Sequence, residues 1–253
     1  MKILLLNPNT STAVTDLLFT AGAAAAAAGT ELIPVTATTG VPYIASRAEA
    51  QIGGAIALDM IAARHREVDA VIIAAFGDPG LLGARELFDL PIVGMAEAAM
   101  LTACMLGRSF SIVTFANALV PWYRECVDMH GLAGRCASIR MLDGGFRSIS
   151  DVQEEKEELL VALANRAVSE DDADVVILAG APLAGLAAKV KDRVPVPVVD
   201  QIAAAVKQAE ALATLAPRKA EAGTFRRPPA KPTLGLPEAL ARRIEHADAA
   251  GPR

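Results

Sequence analysis

Two carboxylates stand where a chain of this kind could use them. Asp78, in Phe76-Gly77-Asp78-Pro79-Gly80, and Glu97, in Gly94-Met95-Ala96-Glu97-Ala98, each follow a short apolar run. A carboxylate so placed can remove a proton, protonate a leaving group or activate water. Each also has a plain structural reading. Asp78 is foremost a cap for a helix beginning near Pro79-Gly80, and Glu97 is an acid in the first turn of a helix. Asp200, behind Val196 to Val199, reads mainly as the cap of a helix starting at Ile202. Asn9, Thr10 and Thr114 supply neutral donors and acceptors that can hold a small polar ligand, and Tyr43 and Ser46 lie in a long loop, Thr38 to Ser46, that can cover a pocket. His65, in an Arg-His-Arg run, and His130, at a helix end, read as surface residues rather than bases. Cys104, Cys126 and Cys136 lack the paired spacing of a zinc site and fit free thiols in a reducing cytoplasm. With no Gly-rich dinucleotide fingerprint and no lysine after Gly77-Asp78-Pro79-Gly80, neither a cofactor nor a metal is expected.

The elements that must position these residues occur twice. Asp69-Ala-Val-Ile-Ile-Ala-Ala-Phe-Gly-Asp-Pro-Gly-Leu is echoed from Asp174 by Asp-Val-Val-Ile-Leu-Ala-Gly-Ala-Pro-Leu-Ala-Gly-Leu, and each echo is followed by a second strand, at Leu90 and at Val196. Strands are expected at Ile3–Leu6, Glu31–Ala37, Val71–Ala75 and Ile92–Val93. Their counterparts are expected at Ser109–Phe115, Ala137–Met141, Val175–Ala179 and Val198–Val199. Helices fill the intervals, among them one through about Ala28, one from Ala48 to Arg66 and an amphipathic one from Asp151 to Ser169. Strands apolar on both faces alternating with helices predict an α/β fold of two pseudo-symmetric lobes, each a parallel sheet flanked by helices. The first lobe would hold residues 1–97 and 205–253, the second 98–204. Ligands bind such sheets beyond the carboxyl ends of the strands. Asn7 to Ser11, Phe76 to Gly80, Thr114 to Asn117 and Gly180 to Gly185 would therefore face one cleft, placing Phe76, Gly77, Gly180 and Ala181 at its wall.

Composition narrows the partners. A net charge of −5, 53% hydrophobic and 4% aromatic residues give an aliphatic core and no basic stripe, which argues against nucleic acid and for a small soluble ligand. The Ala23 to Ala28 run is far short of the roughly 20 apolar residues of a membrane span, and Ile3 to Leu6 is too short for a signal peptide. A cytoplasmic protein is expected, and the Ala-rich helix faces suit a homo-oligomer.

Asn7-Pro8-Asn9-Thr10-Ser11, Gly40-Val41-Pro42-Tyr43-Ile44, Phe76-Gly77-Asp78-Pro79-Gly80-Leu81, Gly94-Met95-Ala96-Glu97-Ala98, Ser111-Ile112-Val113-Thr114 and Lys231-Pro232-Thr233-Leu234-Gly235-Leu236 span almost the whole chain. In these the sequence resembles the aspartate/glutamate/hydantoin racemase superfamily, and most of all its hydantoin and allantoin racemases. The resemblance implies a cofactor-independent enzyme in which one cysteine of each lobe faces the substrate's chiral carbon. Those cysteines would precede Phe76 and Ala181, but Ala75 and Gly180 stand there.

General acid–base groups contribute roughly 100- to 10,000-fold, so two-thiol racemisation is not expected. Hydrolytic, lyase or desulfurising chemistry on a hydantoin, thiohydantoin, ureide or amino-acid-type substrate is the favoured reading, with Asp78 or Glu97 activating water and backbone N–H groups near Gly77 and Ala181 forming an oxyanion site. A racemase or isomerase using carboxylates, and a protein that only binds a ureide or dicarboxylate, are the alternatives.

Overall fold

The computed structural model describes residues 1–142 and 152–248. The first half of the chain runs β1 (Lys2–Asn7), α1 (Thr12–Ala25), β2 (Glu31–Thr36), α2 (Arg47–Arg64), β3 (Ala70–Ile73), α3 (Leu81–Leu87), β4 (Ile92–Gly94) and α4 (Met95–Leu106). The second runs β5 (Phe110–Thr114), α5 (Val120–Met129), β6 (Cys136–Met141), α6 (Val152–Asp171), β7 (Val175–Leu178), α7 (Leu186–Val190), β8 (Val198–Asp200) and α8 (Gln201–Leu215). A last helix, α9 (Glu238–Ile244), closes the tail. The expected start of α6 at Asp151 lies outside the described residues.

Both sheets are parallel and share one topology, β2-β1-β3-β4 and β6-β5-β7-β8. In each, the strand order reverses between the first strand and the third, β1 beside β3 and β5 beside β7. The crevice of a doubly wound sheet lies at such a switch point, which makes the loops after these four strands the functional ones.

The strands alternate between two apolar layers. Leu4, Leu6, Val71 and Ile73 point to an outer layer with Ile61, Leu81, Phe88 and Leu240, the last brought in by α9. Ile3, Leu5 and Ile72 belong instead to a core that continues through α4 and α8 to Phe110, Ile112 and Ile177 of the second sheet. Small side chains such as Ala96, Ala99, Ala103, Ala205 and Ala209 let α4 and α8 pack together at the centre of that core.

Three features of these elements have local causes. α1 stops at Ala25, short of Ala28, where Glu210 accepts hydrogen bonds from the Ala27 N–H and the Thr30 hydroxyl, both at 2.7 Å. α4 starts at Met95 because its first N–H groups are capped from another element, described below. The basic, Pro-rich tail docks on the first lobe. Lys219 donates to the carbonyls of Arg85 and Glu86 at the end of α3, and Arg243 donates to that of Leu87. Among the described residues no helix is long and apolar enough to cross a membrane.

Candidate active site at the junction of the lobes

Aromatic rings join the loops after β2, β3 and β5 to α5. The sequence holds only two tyrosines and one tryptophan, and all three stand here. Tyr43 packs on Phe115 with centroids 5.9 Å apart, and Tyr123 on Phe76 at 4.7 Å and on Trp122 at 5.7 Å. Trp122 also lies over Gly77, whose φ of +113° and contact with the indole exclude a side chain: a Cβ there would stand 2.3 Å from the ring. Such backbone is cheap only for glycine.

Around these rings the polar groups pair with one another. The Thr114 hydroxyl donates to the Ala179 carbonyl at 3.0 Å and is hydrogen-bonded to the Tyr123 hydroxyl. Asn9 Oδ1 accepts from the Asn7 side-chain amide at 3.0 Å and from the Ser11 N–H at 2.9 Å, and the Thr10 N–H ties this loop to the Val41 carbonyl at 2.9 Å. Ser46 accepts from the Glu49 N–H as the N-cap of α2 and is exposed, so it serves the helix start. The Gly180 N–H donates to Gln201 Oε1 at 3.0 Å, and the Gln201 amide donates back to the Gly180 carbonyl. Ala181 is buried at the start of a short 3-10 turn. The Tyr43 hydroxyl differs from all of these: it is closed off from solvent and has no hydrogen-bond partner among the described residues. An unpaired buried polar group costs about 1–3 kcal/mol. Burial, with smaller contributions from Tyr123 and Glu49, pushes its pKa far up and keeps it protonated.

The two positions where the resemblance calls for thiols are Ala75, which is buried, and Gly180. Gly180 has φ +109°, and a Cβ on it would meet Phe115 Cε1 at 2.7 Å. The Phe115 ring thus fills the space a side chain at 180 needs.

Behind Gly77 lies a buried charged cluster that joins the lobes. Asp78 is the cap expected, but of a different helix. Its Oδ1 and Oδ2 accept from the Ala96 and Glu97 N–H groups, both at 2.8 Å, at the start of α4, while α3 begins at Gly80 with no side-chain cap. The Pro79-Gly80 turn aims the carboxylate away from α3, with Asp78 itself at φ +52°. Glu97 forms a two-pronged ion pair with Arg85.

His130 completes the cluster, and here the expectation of a surface histidine is corrected. Its side chain is only 5% exposed, with Nε2 3.0 Å from Asp78 Oδ2 and Nδ1 3.3 Å from Glu97 Oε1. Burial disfavours the imidazolium, but hydrogen bonds to Asp78 and Glu97 outweigh it and raise the pKa to about 9. Burial likewise opposes ionised Glu97, yet His130 and Arg85 hold its pKa down to about 2. The sequence did carry a signal for His130: Trp122, Cys126 and His130 recur every four residues along α5, so all three share one face. His65 is also not a free surface group. It stacks on Phe88 at 5.2 Å, and burial together with Arg243 lowers its pKa to about 4.

Asp200 caps α8 as expected, accepting from the Ile202 and Ala203 N–H groups at 3.1 Å, and it also accepts from the Gly185 N–H at 2.6 Å. The sequence suggested no metal cluster, but Asp78, Cys126 and His130 offer ligand atoms within 4.8 Å of one another. An ion there would have to displace the proton of a histidine whose pKa is near 9 and that of Cys126, whose thiol is pushed well up by burial and by Asp78 and Glu97. It would also sit beside the Arg85–Glu97 pair. The residues fit a proton-bearing ion network better than a metal centre. Two crevices of about 480 and 270 Å³ lie outside this junction, one between α2 and α9, the other beside Arg85 and the tail.

Residues 3–209 match the family described as Asp/Glu/Hydantoin racemase. The chain belongs to that family. It is 33% identical over 243 residues to a hydantoin racemase of Pseudomonas sp. (strain NS671), covering 96% of this chain and 98% of that one. A hydantoin racemase of Paenarthrobacter aurescens is 32% identical, covering 92% and 100%. Among solved structures, the allantoin racemase from Klebsiella pneumoniae superposes with a TM-score of 0.89 at 35% identity, covering 95% of this chain and 98% of that one. An arylmalonate decarboxylase shares the fold at 18% identity and a TM-score of 0.59, covering 84% and 92%. An isomerase-type enzyme family thus supplies the scaffold, and within it this chain carries Ala75 and Gly180.

Proposed function

We propose that this racemase-family chain acts on a small hydantoin- or ureide-type ring in the inter-lobe cleft, without a cofactor and without thiol chemistry. The carrying observation is the pair of positions Ala75 and Gly180, the second with its side-chain space filled by Phe115. Cys126 does not replace the missing thiols: it is buried on α5 and held in its protonated form. The ring would be held by Asn9, Thr10, Tyr43 and Thr114, with backbone at Gly77 and Ala181 facing a carbonyl oxygen where negative charge develops.

Of the two carboxylates, Glu97 is the one with a path to solvent, its side chain 17% exposed against 0% for Asp78. Glu97 is therefore the group to activate water for ring opening or elimination, and Asp78 orients it through the shared His130. A second reading, a protein that binds the ring without turning it over, is favoured by one specific observation. Both carboxylates are already engaged, and a pKa of about 2 makes Glu97 a weak base.

NMR of hydantoin, allantoin and a thiohydantoin incubated with the protein in deuterated water separates the readings. Product formation that fails in Glu97→Gln supports water activation. Binding with neither product nor exchange supports the second reading. Rapid deuterium exchange at the chiral ring carbon of allantoin with inversion defeats both readings, because that is the reaction of a working racemase, here one that uses carboxylates in place of thiols.

A further inference from the structure

Most polar groups at the junction are satisfied within the protein. Thr114 and Tyr123 bind each other, and Gln201 binds both backbone groups of Gly180. The Tyr43 hydroxyl is the exception, buried and unpartnered on the loop that Thr10 ties down through Val41. Polar atoms left in this state are rare in folded proteins and call for an explanation. Tyr43 touches Phe115, the ring that covers Gly180, which places this buried hydroxyl at the junction rather than on the outer surface.

We propose that Tyr43 determines the specificity of the cleft: its hydroxyl donates to a carbonyl oxygen of an uncharged imide or ureide ring and discriminates against ligands that carry a carboxylate. The inference rests on the reading that the cleft takes such a ring. A phenol that stays protonated can donate to a carbonyl oxygen. A carboxylate could accept the same bond, but it would carry its charge into a closed-off position beside the acidic Glu49, whose Oε2 accepts from the Ala45 N–H at 2.7 Å, and burying a charge with no opposite charge beside it costs far more than burying a neutral carbonyl. A site built to donate one hydrogen bond rejects ligands that cannot use it, because its own group is then left unpaired. The ligand reaches the hydroxyl by parting the Tyr43–Phe115 ring contact.

The test is Tyr43→Phe, read by thermal unfolding and by calorimetric titration with hydantoin, allantoin and a hydantoin bearing a carboxymethyl arm. Trp122, the one tryptophan, gives an independent fluorescence readout beside Gly77. Because the lost hydroxyl has no protein partner, the variant should melt at or above the wild-type temperature. It should bind the uncharged rings about tenfold more weakly, equivalent to about 1.4 kcal/mol. Wild type should favour the uncharged rings over the acidic one, and the variant should lose that preference. Equal affinities in the two proteins, a preference for the acidic ring, or a lowered melting temperature that accounts for the weaker binding each overturn the inference alone. Failure of wild type to bind any of the three ligands overturns the proposed function with it.

Discussion

In the first lobe the loop after β3 is pinned by a carboxylate, and in the second the matching loop after β7 is pinned mainly by amides, with the Asp200 carboxylate holding its end at Gly185. Asp78 ties the first to the start of α4. Gln201 holds Gly180, and Gln153 donates to the carbonyls of Pro182 and Ala184 at 3.0 and 2.7 Å. The backbone outcome is similar: Gly77 and Gly180 have φ of +113° and +109°, Gly80 and Gly185 +80° and +82°. One backbone shape is thus held by the Asp78 carboxylate in one half, and in the other by the amides of Gln201 and Gln153 together with the Asp200 carboxylate, which accepts from the Gly185 N–H. The Asp78 side is the more highly charged half: it draws in His130 from the opposite lobe, which couples lobe contact to ionisation there.

The largest expected effect breaks that asymmetry directly. Asp78→Ala uncaps α4 and leaves the His130 imidazolium facing Glu97 alone. Losing one partner of a buried charge pair costs about 3–5 kcal/mol. Gln201→Ala, which frees two backbone groups of Gly180, should cost about 1–3 kcal/mol. Urea unfolding measures both, with Asp78→Asn as the milder variant should Asp78→Ala not fold. Equal costs would remove the distinction between the two loops.

Next in size is the return of a side chain at each lost thiol position. Gly180→Cys places a non-glycine residue at φ +109° and against Phe115, and the backbone alone accounts for about 1–3 kcal/mol. Ala75 is not among the described residues with positive φ, so Ala75→Cys should cost less. The two substitutions together should give racemisation of a 5-substituted hydantoin only when Phe115→Ala is added. Racemisation by the double variant with Phe115 intact would show that the ring is no barrier.

The pH dependence follows from the charged half. The folded pKa of His130, about 9, exceeds its ordinary 6.5, so its stabilisation is complete below 6.5 and is lost as pH rises through 9. Glu97, lowered from 4.5 to about 2, stabilises fully above 4.5 and loses this as pH falls toward 2. Melting temperature should therefore be highest between about pH 4.5 and 6.5 and fall on the basic side, with about 2–4 °C for each kcal/mol lost. His130→Asn should flatten the basic limb. A wild-type curve that is flat from 6.5 to 9, or that matches the variant's, would place the imidazole outside the ion network.

Most of the architecture was legible because it rests on local pattern. Apolar runs such as Ile3–Leu6 and Val175–Ala179 can only be buried parallel strands, and the duplicated Gly/Pro loops fix their equivalence. The contacts that define the junction are non-local, and this is where reading along the chain failed. Asp78 precedes α3 in sequence, yet its carboxylate reaches Ala96 and Glu97, across β4. Nothing near Gly180 in sequence announces Phe115. His130 looked exposed from its place at the end of a helix, although its four-residue spacing from Cys126 put it on the face that α5 turns toward Asp78.

The smallest expected effect tests whether burial, rather than mere charge across the lobes, makes the His130 contact matter. Arg47 on α2 and Glu125 on α5 also bridge the two halves, with Nη2 2.5 Å from Oε1, but their side chains are 61% and 53% exposed. Water already solvates both ions, holding two long side chains in one geometry costs entropy, and salt screens what attraction remains. Arg47→Ala should change the melting temperature by no more than about 1 °C, and raised salt should erase even that. The same salt should leave the His130 contribution largely intact, since buried pairs are screened much less. If Arg47→Ala instead destabilises as much as His130→Asn, opposite charge between the lobes suffices and the buried setting of Asp78 adds nothing.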